Sequence, residues 1–131
     1  MIENLNLEQI SAVLDALPFE MMFVDENDRI QYGNKLGTRL FRFKKDTIAG
    51  KDLRSCHPKK VRPKVEKILA DFKSGKADEA EFWIPSLAPK ILNRFIALRD
   101  KSGKYLGILE YILDFNAIEQ IAEDKKDAPK R

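Results

Sequence analysis

The residues in this chain whose types could do chemistry are few and close together. Cys56 is the only cysteine and His57 the only histidine, and they follow Ser55 and precede Pro58. One cysteine cannot form an internal disulfide, and one Cys plus one His cannot build a Cys/His zinc cage within one chain. An imidazole at this place has two readings. It can ligate haem iron, or it can cap a helix or hydrogen-bond a backbone carbonyl, which is the commoner use. A free cysteine is ordinarily a small buried residue, and a redox role needs a lowered pKa. Ser55, Cys56 and His57 are adjacent in sequence but have no orienting acid at a catalytic spacing. The carboxylate pair Glu79/Glu81 shares a strand face without a cleft partner. A non-enzymatic chain is therefore expected.

The elements that must position these residues follow from the pattern of apolar positions. Over 131 residues, 44% hydrophobic and 34% charged, the composition suits one globular core. No apolar run reaches the roughly 20 residues a bilayer span requires, and the N-terminus lacks the form of a signal peptide, so a cytoplasmic location away from membranes is expected. The net charge is +3. From Lys51 to Lys76 nine basic residues face three acidic ones, an excess of six, with Phe72 the one interleaved aromatic. That pattern reads as a solvated helix face rather than a nucleic-acid surface.

Leu7, Ile10, Leu14 and Leu17 fall on one stripe of a helix that Pro18 ends. The stripe either caps the core or packs against the same helix of a second subunit. Residues 19–24 and 29–32 read as a hairpin around Asp25-Glu26-Asn27-Asp28, and Asn34 to Lys51 as short helical turns. Val61, Val65, Ile68, Leu69 and Phe72 predict an amphipathic helix stopped at Ser74-Gly75. Three β-rich runs, 79–84, 91–98 and 105–113, predict an antiparallel meander before a short last helix at Ala117, Ile118 and Ile121 and a frayed charged tail. The sum is an α+β chain: a five-stranded antiparallel sheet with helices inserted after its second strand to cover one face, and an N-terminal flanking helix.

This order resembles a PAS domain. The residues carrying the resemblance are Val24 to Asn34, Phe41, Ile48-Ala49-Gly50-Lys51-Asp52-Leu53, Arg99 to Gly107, and the exit Asp114-Phe115-Asn116. A narrower resemblance, to a branch with a Cys-His-Pro motif often attached to hemerythrin-like domains, rests on Ser55-Cys56-His57-Pro58, Phe72 to Gly75, Glu81 to Ile84, and Arg99-Asp100. It implies a flanking helix over 1–18, a PAS domain over 19–116 and a short helix with tail over 117–131. It also implies a sensory or regulatory module that binds a small ligand and signals through a homodimer mate or a separate partner protein. The rival is a ligand-free dimerisation domain. Haem on His57 is one cofactor the resemblance allows. Flavin photochemistry is not expected, because Lys51-Asp52-Leu53-Arg54 stands where photosensor relatives carry a reactive cysteine motif. The ligand-site candidates are His57, Cys56, Asn34, Trp83 and Phe95, with Trp83 and Phe95 equally readable as core. The dimer candidates are Leu7, Ile10, Leu14 and Leu17.

Overall fold

The structure, a computed structural model, describes residues 1–36, 49–84 and 90–125. Helix α1 spans Leu7–Ala16. It starts at Asn6 because two backbone donors are satisfied reciprocally: the Gln9 backbone N–H donates to Asn6 Oδ1 at 2.8 Å, and that of Asn6 donates to Gln9 Oε1 at 3.0 Å. Strand β1 (Glu20–Asp25) and strand β2 (Ile30–Gly33) form the expected hairpin. Its turn is closed by Asp25, whose Oδ1 accepts from the backbone N–H groups of Asn27 and Arg29. The short helical turns expected between Asn34 and Lys51 fall largely on residues 37–48, outside the described residues. Beyond them come a 3-10 turn at Leu53–Cys56 and another at Lys59–Val61.

Helix α2 spans Arg62–Ser74, with Pro63 in its first turn, where a missing N–H is harmless. Gly75 ends it in the left-handed region at φ 79°. Strands β3 (Glu79–Trp83), β4 (Ile91–Arg99) and β5 (Tyr105–Asp114) follow, then helix α3 (Phe115–Asp124). Asp114 caps α3 by accepting from the N–H groups of Asn116 and Ala117. The tail from residue 126 lies outside the described residues. Among those described, no helix is long and apolar enough to cross a membrane.

All strand pairs are antiparallel and the sheet order is β2-β1-β5-β4-β3, which makes the last strand the central one. Val65, Ile68, Leu69 and Phe72 of α2 pack with Met22, Val24, Ile30, Leu53, Phe95 and Ile108 into one core. Each such side chain contributes roughly 1.5–3 kcal/mol of burial. Close pairing of β5 with β1 depends on Gly107, at φ 141°: a Cβ there would lie 2.1 Å from the Val24 carbonyl oxygen. Only glycine fits that approach.

Candidate functional site: a polar centre under the sheet

Residues directly opposed across antiparallel strands share a face, so the register gives the content of the inner, helix-covered side. One row is Val24, Ile108 and Ala97, and it is wholly apolar. The next is Met22, Glu110 and Phe95. The third is Glu20, Ile112 and Asn93. A carboxylate thus sits at the middle of the central strand, between two apolar side chains, and Glu110 is 0% exposed.

The segment carrying His57 is brought to this face by backbone pairing along β2. The Ile30 N–H donates to the Lys51 carbonyl at 2.8 Å, and that of Leu53 to the Asp28 carbonyl at 2.8 Å. These bonds fix the 3-10 turn, and Pro58 holds His57 extended at φ −119°. The His57 ring lies 3.0 Å through Nδ1 from the Leu53 carbonyl oxygen. A carbonyl only accepts, so Nδ1 carries the proton. That leaves Nε2 toward the sheet, 4.0 Å from Glu110 Oε1. Asn93 Nδ2 donates to the same Oε1 at 3.2 Å.

This centre is incompletely satisfied. Glu110 Oε2 and Asn93 Oδ1 are buried without a hydrogen-bond partner among the described residues. Burial pushes the Glu110 carboxyl up from its ordinary value, and His57 and Asn93 offset that only in part. Burial also raises the Cys56 thiol, with Glu110 adding to the effect against a lowering bond from Ser55. Cys56 therefore stays a thiol near neutral pH, without the thiolate character of a redox cysteine.

The sequence-derived candidates divide. His57, Cys56 and Phe95 gather around Glu110: Phe95 is its neighbour in the row and packs edge-on against Phe82, with ring centroids 6.1 Å apart. Asn34 and Trp83 do not join them. The Asn34 side chain accepts from the Met21 N–H at 3.1 Å and donates to the carbonyls of Leu14 at 3.1 Å and Phe19 at 2.9 Å. Its capacity is used in tying the end of α1 to the start of β1. Trp83 alternates in phase with Glu79 and Glu81, is 58% exposed and stacks on Phe115, so it lies on the other side of the sheet. The sequence reading missed Glu110, although its parity with Ile108 and Ile112 places it on an apolar face.

Haem does not fit this arrangement. The Nδ1–H bond to a carbonyl suits a ligating imidazole, but Nε2 is turned onto Glu110, and Met22 and Phe95 close the row on both sides at 0% and 3% exposure. Among the described residues, the nitrogen that would ligate iron is thus already directed at a carboxylate. Among the described residues no three or more His, Cys, Asp or Glu side chains converge on a metal position.

A profile of the PAS domain family matches residues 10–116. The chain belongs to the PAS domain family. Among solved structures it is similar to a C-terminal domain from Streptococcus mutans, at 30% identity and a TM-score of 0.75 over 89% of this chain and 90% of that one. It is also similar to the PAS domain of BvgS from Bordetella pertussis, at 16% identity and a TM-score of 0.63 over 92% and 96% of the two chains. A third is the photoactive yellow protein domain of the sensor histidine kinase Ppr from Rhodospirillum centenum, at 18% identity and a TM-score of 0.62 over 86% and 96%. The last two likenesses are of fold alone. A comparison with curated proteins finds no match.

Proposed function

We propose that this chain is a non-catalytic sensory or regulatory module that binds a small ligand against the inner face of its sheet. The observation carrying this reading is the fully buried Glu110, whose Oε2 has no partner among the described residues. A buried polar atom without a partner costs roughly 1–3 kcal/mol, which a ligand bond would offset. The source of the similar Ppr domain, a sensor histidine kinase, is in keeping with a sensory use. Occupancy of the centre would alter the packing of β5, which runs directly into α3, and so reach the terminal helices.

Those helices are the output surface in this reading. Leu7 of α1 is 86% exposed, and Ile118 and Ile121 of α3 are 50% and 55% exposed, while Ile10, Leu14 and Leu17 are half-buried. A homodimer mate or a separate partner would cover them. The rival reading keeps that surface and dispenses with the ligand. Native mass spectrometry with an absorbance spectrum of the purified chain separates the two. A bound small molecule displaced on denaturation is the expected result, and a Soret band would restore haem to consideration. A chain of bare mass that takes up no compound from a metabolite library would leave only the dimerisation role.

A further inference from the structure

With the Glu110 carboxyl ionised, two orphan atoms under the sheet are both acceptors, and that restricts the chemistry of their partner. Glu110 Oε2 and Asn93 Oδ1 are both buried and unpartnered. The orientation of the Asn93 amide follows from its neighbour: turning it over would set Oδ1 against Glu110 Oε1, acceptor against acceptor, and forfeit the 3.2 Å bond from Nδ2. Among the described residues, the donors shown at this centre are already engaged. Asn93 Nδ2 is on Oε1 and His57 Nδ1 on the Leu53 carbonyl. Arg94, next along β4, alternates to the other face, where it bonds the Tyr111 hydroxyl at 2.7 Å and Glu79 at 3.2 Å. The inner rows hold no Lys or Arg, and they add a second buried carboxylate, Glu20. Among the described residues of these rows, an anionic ligand would meet acceptors and no Lys or Arg.

Resting on the ligand-binding reading above, we propose that the ligand is a small compound presenting paired N–H donors, of the amidine, guanidine or amino-heterocycle class, which donates to Glu110 Oε2 and Asn93 Oδ1. A planar N–H fork suits two acceptors held by one hydrogen-bonded pair. The flanking Met22 and Phe95 suit a flat, weakly hydrated body.

Acetamidine, acetamide and acetate have the same shape and differ in polarity, and they are small enough to probe the centre. Titrating each into isotope-labelled protein, followed by NMR at the Asn93 side-chain amide and the Glu110 backbone, is the test. Acetamidine should give saturable shifts and acetate none. Glu110→Gln, which turns an acceptor into a donor with little change of shape, should weaken acetamidine by about tenfold or more. Asn93→Leu should weaken it as well, and it supplies an independent variant should the first perturb the fold. Acetate binding as well as acetamidine, or acetamidine binding that ignores both substitutions, would overturn the assignment. A native occupant without N–H donors would overturn it too while leaving the ligand-binding reading intact. An interior that admits neither probe nor metabolite would end both.

Discussion

Two buried carboxylates, Asp28 and Glu110, lie on either side of the Leu53–Cys56 turn and are treated in opposite ways. Asp28 sits in the β1–β2 turn at φ 64° and meets two cations. Arg54 Nη1 donates to its Oδ2 at 3.0 Å, and Lys73 Nζ from α2 lies 2.8 Å from Oδ1. Arg54 also binds Asp52 and Glu66, so one guanidinium joins the hairpin turn, the 3-10 turn and the start of α2. Glu110 is at least as deeply buried, yet receives one neutral amide bond and an imidazole at 4.0 Å. The contrast shows that burial of a carboxylate alone does not identify a functional group. The informative feature is burial that the protein itself leaves without matching donors.

The largest effect should come from breaking the ion-paired cluster. Asp28→Ala leaves Arg54 and Lys73 facing a partly buried gap and places alanine in the left-handed region, where a short polar side chain is at home. A loss of about 1–2 kcal/mol in urea unfolding is expected, from the lost charge-assisted bonds of the buried carboxylate and the strained backbone, since Arg54 keeps Asp52 and Glu66. A loss well below 1 kcal/mol would mean that the three elements are held together by the apolar core alone, and the comparison would lose one side.

Glu110→Gln should act with the opposite sign. Because burial raises this carboxyl above its unfolded value, its contribution to stability is complete while it is protonated, below the unfolded carboxylate pKa of about 4.3, and falls away as pH rises through the folded pKa. Glutamine has no proton to lose. Variant and wild type should therefore match in acid and diverge upward of that window. At neutral pH the ligand-free variant should be more stable by on the order of 1 kcal/mol, as neutral replacements of buried ions often are. His57, Cys56, Asn93 and Glu20 share this face, so the informative quantity is the difference between the two profiles. A pH-independent difference, or a variant less stable throughout, would show Glu110 to be a satisfied structural group.

The same comparison explains what the sequence could reveal. Element type and order were legible because each segment has a clean period. The apolar spacing from Val61 to Phe72 gives α2, and Gly75, the one residue type comfortable at φ 79°, ends it where expected. The cluster of Cys56 and His57 was legible by residue type. Glu110 was overlooked and Trp83 misjudged because parity along the strand was not followed. Tryptophan suggested interior, whereas period two puts Trp83 with Glu79 and Glu81, and Glu110 with Ile108 and Ile112. Asn34 was identified through the family resemblance, but sequence could not tell a ligand contact from a strut whose bonds go to Leu14, Phe19 and Met21. Placing Glu110 at the centre of the sheet also requires β5 to lie beside β1, a long-range pairing that no local window contains.

The smallest effect should come from Lys67 and Asp71 on the exposed side of α2. Their contact, 2.7 Å, is shorter than any made by Glu110, and the Lys67 bond holds the Asp71 carboxyl below its ordinary value. Both groups can nonetheless exchange their partner for water. The order along the helix, lysine four residues before the acid, is also the less favourable one for the helix dipole. Lys67→Ala should therefore leave the urea midpoint within measurement error and shift little with salt. A loss comparable to that of Asp28→Ala would show that separation, rather than desolvation, governs charge energetics here. In that event the long 4.0 Å gap between His57 and Glu110 would itself explain the weakness of that pair, without any need for an absent donor.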